Sequence, residues 1–485
     1  MIVLTIVLAY FGVLLLLSRW TARRQSSNDA FFRAGRRSPW PMVAYGMIGA
    51  SISGVTFVSV PGMVLTSDMT YLQLCMGFIL GYLAVAFVLL PVYYRLNLTS
   101  IYTYLGVRLG RCSYLSGAWF FLLSKMVSSA VKFYVVCMIL QQFVFDALGV
   151  PFVVNALGMV TLIWLYTHRG GVRTLVFTDV FQTTCLFLAL LLIIYMVISS
   201  MGLSPSEAVK AIVADERSRV FVMDDWVSRH NFWKQLLSGA FIVVVMTGLD
   251  QDMMQKNLTC RTLSEAQKNM CSYGVCFLPA NLLFLALGVL LMQYFEAQGA
   301  VSPAKGDEVL LLFVQSGTSL VVSGLFTLGV VAASFSSADS ALTSLTTSYC
   351  VDIRRRPGDE RLRCNAHVVI CLVFALCILL IRLAGSPSLI DTIYTVVGYT
   401  YGPLLGLFAY GLFTRREVND RWVPLICIAS PMLCFAIDRL SQSLWNYHFG
   451  YELLLLNGLL TFLGLWLSSL RIAAIQESDH SSNSH

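Results

Sequence analysis

Charge is scarce in this chain. Only 12% of its 485 residues are Asp, Glu, Lys or Arg, where a soluble domain carries about 25%. With 57% apolar residues and a mean hydropathy of +0.73, a soluble fold of this length has too few charges to cover its apolar surface. That excludes a cytosolic enzyme, a disordered protein and a secreted domain, and leaves a polytopic membrane protein. Cysteine is present at 13 residues but never as a CxxC pair. Cys75, Cys137, Cys185, Cys276, Cys371 and Cys377 sit in apolar runs, as small buried residues do. The six histidines form no HExxH or other metal-ligand spacing. No GxxxxGK[ST] phosphate loop and no GxSxG elbow occurs, so ATP-driven transport and hydrolase chemistry have no motif to rest on.

What the chain does have is apolar length. A helix needs about 20 apolar residues to cross a bilayer. Thirteen runs qualify, near 1–20, 40–65, 71–97, 113–145, 151–168, 173–200, 233–252, 268–296, 318–350, 365–384, 388–413, 421–440 and 450–472. The first lacks the basic leader and small-x-small cleavage site of a signal peptide and is expected to be retained. The net charge of +7 reads as membrane orientation rather than nucleic-acid affinity. Counted over alternate loops, twenty-three basic residues fall on one side and eight on the other. This predicts an outside amino terminus and a cytoplasmic carboxyl terminus in a plasma or inner membrane. Lys256, Arg261 and Lys268 are counted together in one cytoplasmic loop. Lys125 and Lys132 remain, both inside the fourth span.

Spans two to six (40–200) and seven to eleven (233–413) form two sets of five. Five is odd, so the second set starts from the opposite side, which is the arithmetic of an inverted repeat. The first span (1–20) and the last two (421–472) flank that core. The mixed-charge stretch 201–232 is expected to be an external loop with a short helix, 306–317 a second external helix, and 473–485 a disordered cytoplasmic tail.

Polar residues in mid-membrane are costly and mark function. The second span holds Gly46, Gly49, Ser51, Ser53, Gly54 and Thr56, followed by Pro61. An unwound turn there would free backbone carbonyls for a cation, although small residues also suit close helix packing. In the ninth span, nine of the fifteen residues 334–348 carry hydroxyls, with Asp339 among them. Ala333, Ser336, Ser337, Ser340 and Ser344 recur at i, i+3, i+4, i+7 and i+11, on one helical face. Two hydroxyls, a helix carbonyl and two carbonyls from a broken neighbour would offer a monovalent cation about five oxygens. Hydroxyls also bond their own backbone, but nine of them with an aspartate exceed what packing requires. Asp179 lies about two turns into the sixth span and needs a partner, either a cation or a basic side chain. Lys125 and Lys132 share one face of the fourth span. They either meet an anionic substrate, pair with carboxylates in the membrane, or snorkel to an interface.

Several motifs taken together resemble the sodium/solute symporter family, which includes bacterial galactose, proline and sialic-acid symporters and mammalian sodium–glucose and iodide carriers. They are residues Ala30 to Arg37, Ser53 to Phe57, Gly170-Gly171-Val172, Thr178 to Gln182, Asp250-Gln251, Leu263 to Lys268, Ala332 to Ser340 and Tyr401 to Gly406. The resemblance implies that the all-α membrane protein of thirteen helices read from the apolar runs has a five-plus-five inverted-repeat, LeuT-like core with extra flanking helices. It implies a main sodium site built from the carbonyls of Gly49, Ile52 and Ala333 and the hydroxyls of Ser336 and Ser337. It also implies a second sodium site at Asp179, with Ser340 and Asp339.

For the substrate, the resemblance points to Ser53, Thr56 and Gln73 as facing the central cavity. Val243 and Met246 stand where sugar-binding members carry polar and aromatic groups, which argues against a galactose-like site. Ser128 and Ser129, with Lys132 one turn on, occupy the region where sialic-acid carriers place an arginine. An anionic substrate therefore stays open, without that arginine's two-pronged grip. The expected function is sodium-coupled symport of a small organic solute (a sugar, sugar acid or small carboxylate) by alternating access, in the bilayer, as a monomer, without catalysis. The alternatives are a sodium-coupled vitamin or inorganic-anion carrier and an ion channel, for which no repeated filter motif is found.

Overall fold

In lipid, every backbone N–H and C=O must be paired inside its own segment, so apolar runs of this length fold as helices. The computed structural model describes all residues except 1, 23–27, 169, 227, 300–304, 317–319, 385–388, 446, 448, 451 and 483–485. Its principal helices are α1 (Ile2–Ala22), α2 (Trp40–Ser51), α3 (Gly54–Ser67), α4 (Tyr71–Ala84), α5 (Arg111–Leu140), α6 (Phe152–Thr167), α7 (Gly171–Ser200) and α8 (Pro205–Ala214). They continue with α9 (Phe232–Val243), α10 (Gln251–Asn257), α11 (Leu263–Ala297), α12 (Val309–Gln315) and α13 (Leu320–Ser348). The last four are α14 (Glu360–Ala384), α15 (Leu389–Phe413), α16 (Val423–Trp445) and α17 (Leu453–Ser482).

Among the described residues, nine helices are long and apolar enough to cross a membrane, or up to 11 when each of two bent pairs counts as one span. The expected thirteen is not reached on this measure. At 16 residues α6 is short, and α15 is not among the eleven. The bent pairs are the first members of the two sets of five: α2 and α3 meet at 64°, and α9, extended to Gly248, meets α10 at 70°. Short helices form in both stretches between the long ones: Ser204 caps α8 through a reciprocal pair with Glu207, and α12 buries Val309, Leu310, Phe313 and Val314. The tail departs from expectation, since α17 runs on to Ser482. Residues 471–482 contain no Gly or Pro to stop a helix that is already nucleated.

At the centre stands α13. It packs against α7, α5, α1 and both halves of the α2–α3 pair, and 78% of its span is buried. Small residues permit the approach. A Cβ on Gly46 would lie 2.8 Å from the Cβ of Asp179, and one on Gly49 would lie 2.8 Å from the Cβ of Thr183. Gly49→Ala is therefore expected to overpack the α2–α7 contact and cost about 1–3 kcal/mol. Thermal unfolding of the purified protein checks this, and an unshifted midpoint would show that the helices part freely.

Candidate functional site

The break between α2 and α3 is made by two residues. Ile52 (φ −80°, ψ 102°) and Ser53 (φ −88°, ψ 170°) are extended, and the helix restarts through a capping box. In that box the Ser53 backbone N–H donates to the Thr56 hydroxyl (3.3 Å), and the Thr56 N–H donates to the Ser53 hydroxyl (3.4 Å). In an unbroken helix those two N–H groups would serve the carbonyls of Gly49 and Ile52. The capping box therefore takes away the helical donors of the two carbonyls expected to bind a cation.

The face of α13 meets this break. Ser337 donates its hydroxyl proton to the Ala50 carbonyl at 2.8 Å, and Ser336 donates to Asp179 Oδ1 at 2.8 Å. Each hydroxyl spends its proton and keeps oxygen lone pairs. Ala333 lies one turn before them on α13 and is also buried.

Among the described residues, Asp179 makes no hydrogen bond with Ser340 or Asp339. Its Oδ2 accepts the Lys256 ammonium at 2.6 Å, with both side chains 2% exposed. Asp339 instead accepts the Tyr166 hydroxyl at 2.8 Å and the Ser340 hydroxyl at 3.4 Å. Lys256 corrects the loop count made from sequence. It lies on α10, which bends back into the protein after the apolar run has ended, so its place after that run does not put it in cytoplasmic water.

Lys125 and Lys132 part company. The Lys125 ammonium binds Asp250 Oδ2 at 3.0 Å and Asp252 Oδ2 at 2.7 Å, which ties α5 to the α9–α10 break. Tyr401 donates to Asp250 as well, at 2.7 Å. Among the described residues, Lys132 makes no hydrogen bond or ion pair, and it lines a central cavity of about 130 Å³. Ser53, Thr56, Ser128, Ser129 and Ser337 line that cavity too, as do Phe78, Val243, Met246 and Phe277 and the paired Asp250 and Asp252. A wider vestibule of about 560 Å³ opens on the side of Arg229 and Lys305, and Tyr71 borders both spaces.

Gln73 is a correction: it does not face the cavity. It is fully buried; its amide donates to the His230 carbonyl at 3.0 Å and its oxygen accepts from Val222 N–H at 3.1 Å. It fastens α4 to the segment before α9, a contact between parts of the chain about 150 residues apart that local sequence does not reveal.

The profile of the sodium:solute symporter family matches residues 31–421. The chain belongs to this family. It is accordingly a membrane transporter that couples solute movement to sodium, and it is not an enzyme. Among its relatives in the family is the sodium/sialic acid symporter NanT of Aliivibrio fischeri, 26% identical over 84% of this chain and 82% of the relative. The sodium/sialic acid symporter SiaT of Proteus mirabilis is 25% identical over 85% and 84%. The human sodium/iodide cotransporter is 25% identical over 80% of this chain and 62% of the relative. A solved substrate-bound, outward-open Na+-coupled sialic acid symporter superposes with a TM-score of 0.82 at 21% identity, covering 97% of this chain and 98% of the other. The sodium symporters thus share its fold.

Proposed function

We propose that this family member imports a small carboxylate together with sodium, inward across a plasma or inner membrane whose outer side faces the vestibule. Sodium binds between the α2–α3 break and α13, on the carbonyls of Gly49, Ile52 and Ala333 and the hydroxyls of Ser336 and Ser337. The substrate carboxylate binds Lys132, and its remaining polar groups meet Ser53, Thr56, Ser128 and Ser129. The observation that carries the substrate class is the Lys132 ammonium in the central cavity, unpaired among the described residues, beside a lysine that is fully paired. A buried unpaired charge is costly, and a carboxylate relieves that cost. The apolar wall of Phe78, Val243, Met246 and Phe277 suits a carbon skeleton better than a ring of hydroxyls. The relatives named for sialic acid and for iodide support an anionic cargo.

Sodium bound across α2–α3 and α13 holds the two together, so it favours the state in which the cavity opens to the vestibule. Coupling needs such a difference in affinity between states. Each tenfold sodium gradient contributes about 1.4 kcal/mol per ion. A neutral solute carried with one sodium would also gain about 2.3 kcal/mol per 100 mV, whereas a monoanion carried with one sodium moves no net charge.

Lys132→Gln is expected to lower uptake of a carboxylate at least tenfold while leaving uptake of its neutral amide analogue, however weak, unchanged. Competition by a panel of carboxylates and their amides against sodium-driven uptake in proteoliposomes checks this. Equal effects on both classes would remove the carboxylate from the proposal.

A further inference from the structure

Asp179 sits in the middle of the protein with both oxygens committed. Oδ2 holds the Lys256 ammonium at 2.6 Å, and Oδ1 holds the Ser336 hydroxyl at 2.8 Å. The lysine is not on a free arm. It belongs to α10, which is latched at Gln255: the Gln255 amide donates to the Phe32 carbonyl and to the Thr347 hydroxyl, both at 2.8 Å. The Lys256 carbonyl accepts the Thr259 hydroxyl at 2.7 Å. Asp252 and Asp339 add their fields to the same ammonium. A sodium ion on Asp179 would have to take the place this ammonium holds, because two monovalent cations packed on one carboxylate in a dry interior repel each other.

We infer that Lys256 is a built-in cation that replaces a second sodium beside Asp179, so that this chain binds a single sodium ion per transport cycle. The inference rests on the sodium site proposed above and extends it. Asp179 holds Lys256 on one oxygen and accepts the Ser336 hydroxyl hydrogen bond on the other, which leaves the Ser336 lone pairs free for a cation. Asp179 and Lys256 are thus positioning residues for the one sodium that does bind.

The experiment is equilibrium binding of radioactive sodium alone to the purified full-length protein in lipid nanodiscs. The wild type is expected to saturate at one ion per chain with a Hill coefficient of one, and Lys256→Arg to do the same. Lys256→Met leaves Asp179 as an uncompensated carboxylate and is expected to bind a second ion. Since that variant carries an unpaired buried charge, the double variant Asp179→Asn with Lys256→Met is measured beside it. With both charges gone and a Ser336 acceptor retained, it is expected to stay at one ion. Two ions per wild-type chain, or a folded Lys256→Met variant that stays at one ion, would overturn the inference alone. No sodium binding at all would instead overturn the sodium site on which it rests.

Discussion

Ser337→Ala is expected to raise the sodium concentration that half-saturates uptake by about tenfold to a hundredfold. The hydroxyl does two things at once. It bridges α13 to the last turn of α2 through the Ala50 carbonyl at 2.8 Å, and it presents an oxygen to the cation. Losing a polar partner of a charged group costs about 1.5–3 kcal/mol, and each 1.4 kcal/mol is a factor of ten. Ser336→Ala should be at least as severe, since it removes a ligand and also takes away one of the two donors on Asp179. Ser344 is on the same face two turns further along, and its hydroxyl bonds the Ala341 carbonyl of its own helix at 2.9 Å. Ser344→Ala is therefore the control, expected to leave sodium dependence as it is. Sodium titrations of uptake in proteoliposomes distinguish these cases. Unchanged half-saturation in both Ser336→Ala and Ser337→Ala would sink the site.

The α13 half of this site was legible because helical spacing is a local property. Ala333, Ser336 and Ser337 share a face whatever surrounds them, and a hydroxyl-rich stripe in an apolar run announces itself. The break was also legible as a weakness, from the glycines and hydroxyls of residues 46–56. Its effect on particular carbonyls was not. That depends on Ser53 and Thr56 exchanging bonds, and their three-residue spacing permits a capping box without requiring one.

Lys256 was misplaced for a physical reason. Counting basic residues by loop assumes that a chain leaving an apolar run leaves the membrane. After Gly248 the chain bends by 70° instead, and the polar stretch Asp250 to Asn257 folds into the interior as α10. The signal available was Asp179 itself: a buried carboxylate demands a cation or a basic side chain. Gln73 shows the opposite limit. The family resemblance implies a cavity residue at Gln73, yet here it is spent on backbone groups of a distant segment.

The sharpest contrast in the molecule lies between two lysines seven residues apart on α5. Lys125→Met is expected to destabilise the protein by about 3–5 kcal/mol, because it strands Asp250 and Asp252 as buried carboxylates without their cation. Tyr401 and the Asp252 backbone N–H, which donates to Asp250 Oδ1 at 2.8 Å, soften that loss without supplying charge. Lys132→Met removes an ammonium that has no partner among the described residues, so it relieves a desolvation cost and should leave the unfolding midpoint unchanged or raised. Transport should divide the other way. Lys132→Met folds and fails to concentrate a carboxylate, while the triple change Lys125→Met, Asp250→Asn and Asp252→Asn, which removes all three charges together, should recover most of the stability lost in the single variant. Thermal unfolding in detergent, paired with uptake, reads both quantities. If Lys132→Met unfolds as readily as Lys125→Met, the two lysines are equivalent structural charges, and the cavity loses its reason to hold an anion.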